Sequence, residues 1–174
     1  MFAQFLFGFS IVVLDQVTKL LALKHLAAPR EIIPDLFNLT LVMNPGAAFG
    51  MLGGLPDGVR QLVLLGITFI ALLVVVHLYR TDAKGDVFAQ YTLCAILAGA
   101  AGNLIDRLRF GEVVDFLDFH WNGYHWPAFN VADSSISVGV FCLLVRLTFF
   151  PKKTSELPAE SSPGNSDTNE STTA

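Results

Sequence analysis

The sequence predicts an all-α integral membrane protein, a bundle of four membrane-spanning helices with a small β-sheet outside the membrane. Hydrophobic residues make up 53% of the 174 residues and charged residues only 15%, and the mean hydropathy is +0.56. This composition is too apolar for a soluble domain of this length. In addition, four apolar segments are each long enough to cross about 30 Å of hydrocarbon as a helix.

The predicted spans are helices because backbone polar groups in lipid must be hydrogen-bonded within their own segment. An even number of spans places both termini on one side of the membrane. We expect the first span to be retained, because Asp15 and Lys19 interrupt its apolar run and no basic segment precedes it. In chain order the spans are Phe2 to Leu23, Val59 to Tyr79, Phe88 to Leu108 and Val131 to Phe150.

The connections between the spans predict the sidedness of the protein and its sheet. Lys and Arg are nearly balanced between the two sides, but the short turn from Arg80 to Asp86 and the Lys152-Lys153 pair favour a cytoplasmic location for their side. On the opposite side, Leu36 to Met43 has the composition of a strand and ends at the turn signal Asn44-Pro45-Gly46. The connection from Arg109 to Asn130 is rich in aromatic residues, which favour the headgroup level.

Residues 1–151 are predicted to form one membrane domain, followed by a disordered cytoplasmic tail from Lys152 to Ala174. The tail has too little apolar content to fold. Much of the acidity behind the net charge of -4 lies in this tail, and that charge argues against nucleic acid as a partner. Cys94 and Cys142 lie in apolar runs without metal-binding spacing, so we expect packing residues, with no metal and no cofactor.

Ionisable residues interrupt the first span. Such groups cost several kcal/mol to insert into a membrane, so each needs a function or a partner. Asp15 and Lys19 are four residues apart on one helical face, the spacing of an ion pair turned toward other helices. We expect this pair to fix helix packing, and a direct part in chemistry is the alternative.

The third span ends in a face of small residues followed by polar ones. Gly99 and Gly102 allow a close approach by a neighbouring backbone, either another helix or a substrate. Asn103, Asp106 and Arg107 then share one helical face. For Asp106 the favoured interpretation is structural, an Asp-Arg pair with Arg107 at the membrane interface.

Two aspartates near the ends of neighbouring spans form the strongest candidate for a catalytic site. Asp115 lies in VVDF just after the third span, and Asp133 lies in FNVAD at the start of the fourth, so both belong to the same membrane face. Two adjacent carboxyl groups share one proton near neutral pH, which gives a base to activate water and an acid to protonate a scissile carbonyl. The alternative is that Asn130 is a helix N-cap and Asp133 a first-turn acid.

Other chemistries have weaker support in the sequence. Zinc chemistry could use His120 and His125, but an H-E-x-x-H helix is absent. A small transporter or channel would also use intramembrane polar residues, and a non-enzymatic scaffold would use the aspartates as helix caps. Serine chemistry lacks a G-x-S-x-G motif, although three serines follow Asp133: Ser134, Ser135 and Ser137.

Five motifs, in order, resemble those of the lipoprotein signal peptidases, the type II signal peptidases of bacteria. They are DQVTK from Asp15, NPGAAFG from Asn44, GNLIDR from Gly102, VVDF and FNVAD, and they cover nearly all of the four-span body. The resemblance implies an aspartyl peptidase of the inner membrane that cuts prolipoproteins before a diacylglyceryl-modified cysteine. It also implies an extracytoplasmic active site, contact with membrane lipid, and inhibition by the cyclic peptide globomycin.

The resemblance also implies roles for individual residues. Asp115 and Asp133 match the catalytic pair, while Asp15 and Lys19 match a first-span motif whose role is structural. In the family, the outer loop forms a small sheet with a short interfacial helix. The remaining matches line the site, support it or approach the substrate: Asn44, Gly46, Asn103, Arg107 and Asn130.

Overall fold

The computed structural model describes residues 2–46 and 54–150. The last four residues of the NPGAAFG motif and the predicted tail lie outside this part of the chain. The described residues form helices α1 to α4 and strands β1 to β4, in the order α1 (Phe2–His25), β1 (Arg30–Ile33), β2 (Phe37–Asn44), α2 (Asp57–Thr81), α3 (Val87–Phe110), β3 (Val113–Trp121), β4 (Tyr124–His125) and α4 (Val131–Phe149).

All four helices are long and apolar enough to cross a membrane. The prediction of four spans is therefore confirmed, and each predicted boundary lies within two residues of the observed one. The helix ends carry ordinary caps: the Asp86 side chain accepts a hydrogen bond from the amide of Ala89 at the start of α3, and Gly111 adopts a left-handed conformation after its last turn.

Helix α3 is the centre of the bundle, because it packs against α1, α2 and α4. Helix α2 contacts α3 alone among the helices and strands of the described chain, and none of its residues is buried. Its apolar side chains are left for lipid to cover, as expected for a peripheral membrane helix.

The interior of the bundle is polar at the end that carries the sheet. Among the largest fully buried side chains of the described residues, only that of Val114 is apolar. Lipid replaces water around the helices, so apolar side chains face outward and the polar groups gather where they can bind one another. The buried polar side chains of this group are Lys19, Asn130, Asp15, Asp106 and Asp115.

Two glycines of α3 allow the close packing that brings these groups together. A Cβ atom on Gly102 would lie 2.5 Å from Oδ2 of Asp15, and one on Gly99 would overlap the carbonyl oxygen of Ala132 at the start of α4. The predicted close approach at Gly99 and Gly102 is present, and the neighbours are α1 and α4 of the same chain rather than space for a substrate.

A four-stranded antiparallel sheet, in the order β1-β2-β3-β4, covers one end of the bundle. Strand β2 confirms the strand predicted over Leu36 to Met43. Strand β3 is not predicted by the sequence analysis: the aromatic connection after α3 contains a strand of nine residues, six of which pair with β2. Since α1 to α4 are the only helices among the described residues, the interfacial helix stays a prediction.

Candidate active site

The start of α4 is held against β3 by backbone hydrogen bonds. The amides of Phe116 and Leu117 both donate to the carbonyl of Phe129, at 3.0 and 2.8 Å, and the amide of Phe129 donates to the carbonyl of Leu117 at 3.0 Å. Because Asn130 is the next residue, this bridge places the N-cap of α4 beside the strand that carries Asp115.

Asp115 lies in β3 with both carboxylate oxygens hydrogen-bonded. Asn44 is its diagonal neighbour on β2, since Val42 pairs with Asp115 and Asn44 with Val113. The Asn44 side-chain amide donates to Oδ2 of Asp115 at 2.8 Å, and the Asn130 amide donates to Oδ1 at 2.7 Å. Only 1% of Asp115 is exposed.

Asp133 is fixed in the first turn of α4 by a reciprocal cap. Oδ1 of Asn130 accepts from the amide of Asp133 at 2.9 Å, and Oδ2 of Asp133 accepts from the amide of Asn130 at 3.2 Å. The side chain of Asn103 donates to Oδ1 of Asp133 at 2.7 Å. The structural interpretation of Asn130 as an N-cap is therefore correct, and the same residue also binds Asp115.

Asn130 thus connects the two aspartates, through its side chain to Asp115 and through its backbone to Asp133. Burial raises the pKa of Asp115 to about 6, and the charge of Asp133 contributes to this rise, against the lowering effect of the hydrogen bonds from Asn44 and Asn130. Asp115 therefore holds a proton closer to neutral pH than a carboxyl group in water does.

Beneath the aspartates lies a fully buried ionic cluster that joins α1 to α3. The ammonium of Lys19 lies 2.9 Å from Oδ2 of Asp15 and 2.8 Å from Oδ2 of Asp106. It also donates to Oδ1 of Asn103 at 2.9 Å. The predicted pairing of Asp15 with Lys19 is confirmed, and Lys19 reaches further, to the asparagine that binds Asp133.

The hydrogen bond from Lys19 determines the orientation of the Asn103 side chain. Its side-chain oxygen accepts from Lys19 and also from the Asn130 amide at 3.1 Å. Ammonium and amide groups are donors, so the oxygen of Asn103 must face them and its NH2 group must face Asp133. Lys19 therefore influences which hydrogen-bonding group is presented to a candidate catalytic carboxylate.

The prediction of a close ion pair between Asp106 and Arg107 is wrong, since no such pair is present among the described residues. Asp106 binds Lys19, and its Oδ2 also accepts from the amide of Val114 at 3.2 Å. Adjacent helical residues point about 100° apart, and α1 packs on the Asp106 side of α3. Arg107 is half-buried, and its charge interacts with three carboxylates, in decreasing order those of Asp133, Asp115 and Asp106.

The sequence analysis missed three hydrogen bonds of this cluster, one made by Asp15 and two made by Gln16. Asp15 also accepts a hydrogen bond from the amide of Ala132 at 2.9 Å, and so binds the N-terminus of α4 as well as Lys19. Gln16 donates to Oδ1 of Asp106 at 3.1 Å and to the carbonyl of Gly102 at 3.2 Å. A signal for Gln16 was available, since it is an amide beside Asp15 inside an apolar span.

Gly46 follows the end of β2 and adopts φ of 84°, a conformation that favours glycine. Its amide donates to Oδ1 of Asn44 at 2.9 Å, which turns the NH2 group of Asn44 toward Asp115. A side chain at Gly46 would overlap Leu64 of α2. The predicted Asn44-Pro45-Gly46 turn thus positions a donor to the candidate catalytic carboxylate.

The residues considered for other chemistries form no serine-histidine pair among those described, although His120 and His125 are cross-strand neighbours with ring centroids 4.8 Å apart. The hydroxyls of Ser134 and Ser135 donate to the backbone carbonyls of Asn130 and Ala95, both at 2.8 Å. Nδ1 of His125 lies 2.9 Å from Oδ1 of Asp118 on the sheet. These two serines are therefore not paired with an imidazole base.

Comparisons with known proteins show which sequences this chain is similar to. A family model described as "Signal peptidase (SPase) II" matches residues 7–149. A lipoprotein signal peptidase of Sulfurihydrogenibium sp. is 48% identical over 148 residues, which cover 84% of this chain and 90% of the relative. A lipoprotein signal peptidase of Desulforapulum autotrophicum is 46% identical over 141 residues, covering 80% and 87%.

Two solved structures have a similar fold. The chain aligns with a structure described as "Bacterial membrane enzyme structure by the in meso method at 1.9 A resolution", with a TM-score of 0.76 and 36% identity, over 88% of this chain and 96% of that one. A second structure described in the same words, at 2.3 Å, aligns with a TM-score of 0.77 and 34% identity, over 92% and 96%.

Proposed function

The chain belongs to the signal peptidase II family, and we propose that it is an aspartyl endopeptidase that removes signal peptides from diacylglyceryl-modified prolipoproteins. Cleavage occurs before the lipidated cysteine, and Asp115 and Asp133 are the catalytic residues. The observation that supports this assignment is the position of Asn130, whose side chain binds one carboxylate at 2.7 Å and whose backbone amide binds the other at 3.2 Å.

In this proposal the two carboxyl groups hold one proton between them. The ionised partner removes a proton from water, which then attacks the scissile carbonyl carbon, while the protonated partner donates to the carbonyl oxygen. The proton taken from water is then transferred to the departing amine, which completes the hydrolysis, and no covalent enzyme intermediate forms. The burial of Asp115 and the raised pKa of its carboxyl group support a shared proton at neutral pH.

The asparagines hold the carboxylates in place for this reaction. Asn44, Asn103 and Asn130 each donate to one or both aspartates through a side chain or backbone amide. These donors orient the carboxyl groups, and the hydrogen bonds from Asn44 and Asn130 offset only part of the rise in the pKa of Asp115 that burial causes. Arg107 and Gly46 complete the proposed site, Arg107 by its positive charge and Gly46 by the turn that directs Asn44.

The protein is a multi-pass membrane protein, and we place it in the bacterial inner membrane with both termini in the cytoplasm. The sheet and the aspartates then lie at the extracytoplasmic face. A lipidated precursor is held in the same bilayer by its signal helix and its acyl chains. Shared anchoring delivers the scissile bond at a fixed depth, so that much of the positioning precedes the chemical step.

A transporter or channel is the alternative from another class of function, and family membership does not favour it. A polar pathway across the bundle would need partners from several helices along its length. In the described residues, α2 buries nothing, and the fully buried charges of α1 and α3 lie toward the sheet.

The test is cleavage of a lipidated precursor by purified Asp115→Asn and Asp133→Asn variants, read as a mobility shift. Each variant should lose at least about a hundredfold in rate, because it removes one partner of the acid-base pair. The matched control is Asp118→Asn, which changes an aspartate of the same strand whose carboxylate binds His125. That variant should keep most of its activity, and globomycin should inhibit the wild type. Cleavage at the normal rate by either dyad variant would overturn the assignment.

A further inference from the structure

A cavity of about 560 Å³ lies between the sheet end of α1 and the sheet itself. Its walls are mostly apolar and include Leu21 and Ala22 of α1, Leu39 of β2 and Phe116 of β3. It is separate from the aspartates, because neighbouring residues of a strand point to opposite faces and Phe116 follows Asp115. The proposed catalytic residues do not line it.

The cavity is lined along two turns of α1. Its lining residues on this helix extend from Thr18 to His25 at the end of the helix. Seven residues of helix correspond to about 10 Å of rise. A slot of this length, apolar below and polar at the top, matches the upper part of a fatty acyl chain and the headgroup above it.

Two nitrogen-bearing side chains, His25 and Arg30, line the upper end of the cavity. Arg30 is exposed on β1, and within residues 2–46 and 54–150 its guanidinium has no ion pair. The adjacent Glu31 accepts a hydrogen bond from the amide of Asp35 instead. A free guanidinium favours phosphate, which it can bind through two parallel hydrogen bonds.

We propose that this cavity binds an anionic phospholipid, with one acyl chain along α1 and the phosphate between His25 and Arg30. The charged mouth selects a phospholipid over the neutral diacylglyceryl group of a lipoprotein precursor, which has no phosphate. The site is additional to the proposed peptidase function and does not depend on it. Because Phe116 forms one wall, a bound lipid also packs against the strand that carries Asp115.

The test is lipid binding to the purified full chain, measured by native mass spectrometry. Phosphatidylglycerol, phosphatidylcholine and diacylglycerol with the same acyl chains are each titrated. We expect one phosphatidylglycerol to bind about tenfold more tightly than phosphatidylcholine, and diacylglycerol to bind more weakly than either. Equal affinity for the two phospholipids would overturn the proposal. So would diacylglycerol binding as tightly as phosphatidylglycerol, since the cavity would then accept a neutral lipid.

Variants distinguish lipid binding in the cavity from a general attraction of lipid to the positive charges near it. Arg30→Gln should reduce the affinity for phosphatidylglycerol about tenfold, whereas Lys24→Gln, which changes a nearby cation that does not line the cavity, should leave it unchanged. Ala28→Trp should weaken the binding of both phospholipids, because the indole side chain would fill part of the cavity from an exposed position. Equal effects of Arg30→Gln and Lys24→Gln, or no effect of Ala28→Trp, would contradict the assignment. All three positions are exposed, so the variants should fold.

Discussion

Replacing Lys19 by Met tests whether the buried ionic cluster holds α1 to α3. Methionine keeps an unbranched side chain of similar length but removes the ammonium group. Lys19 is 2% exposed, and its two carboxylate partners, Asp15 and Asp106, are 0% and 1% exposed. The substitution leaves two buried carboxylates without their shared cation.

The expected loss follows from these contacts. Removing one partner of a buried ion pair costs about 3–5 kcal/mol, because the remaining charge is no longer compensated. The Asn103 oxygen also loses a charged donor at 2.9 Å, which contributes about 1–3 kcal/mol. We therefore expect Lys19→Met to lower the free energy of unfolding by at least about 3 kcal/mol.

The assay is unfolding of the purified protein in mixed micelles of increasing sodium dodecyl sulfate content, followed by circular dichroism. Arg60→Gln is the control, because its partner Asp57 is 92% exposed and such surface pairs contribute less than about 1 kcal/mol. Adding Asp106→Asn to Lys19→Met should restore part of the loss, since one uncompensated charge disappears. If Lys19→Met and Arg60→Gln are equally stable, the cluster does not hold the helices together.

Three further predictions concern pH, packing and the membrane interface. The pKa of Asp115 rises from 3.8 to about 6 on folding. The free energy of unfolding should therefore decrease as the pH is raised from about 4 to about 6, by at most about 3 kcal/mol. The folded protein retains this proton in that window while the unfolded chain has released it, so an unchanged slope in Asp115→Asn would contradict the cause. Gly102→Ala should destabilise by about 1–3 kcal/mol in the same micelle assay. Gly66→Ala, where a Cβ meets nothing within 4 Å, should not destabilise, and equal losses would refute the packing argument. The only tryptophans, Trp121 and Trp126, are 78% and 66% exposed near the β3-β4 hairpin. Lipids brominated near the headgroup should quench the fluorescence of these tryptophans more than lipids brominated near the chain ends. The reverse order would contradict the location of the hairpin at the membrane interface.

The four spans could be predicted from the sequence because lipid imposes a simple requirement. Each segment must be apolar, about 30 Å long and helical, and these properties are local. The strand over Leu36 to Met43 was predictable for the same reason, since strand-forming residues end at a turn signal. The interval between Asp15 and Lys19 likewise determined an ion pair within one helix.

Strand β3 was not predictable from periodicity. Its first four residues, Val113 to Phe116, are all buried, so the alternation of apolar and polar residues that marks a half-exposed strand is absent. Its pairing with β2 depends on residues about 70 to 80 positions earlier in the chain. Asp115 could be selected as a candidate from the VVDF motif, but its hydrogen bond to Asn44 follows from this long-range register.

The connection between the ionic cluster and the aspartates was decided by the tertiary structure alone. The sequence marks Lys19, Asn103 and Asp106 as costly polar groups in apolar spans, and this cost makes them candidates. It does not say which of them meet. Lys19 binds Asp106 and Asn103 because Gly102 has no side chain and lets α1 approach α3 closely. The partners of buried charges are determined by packing between helices that are far apart in the sequence, and local sequence patterns do not contain that information.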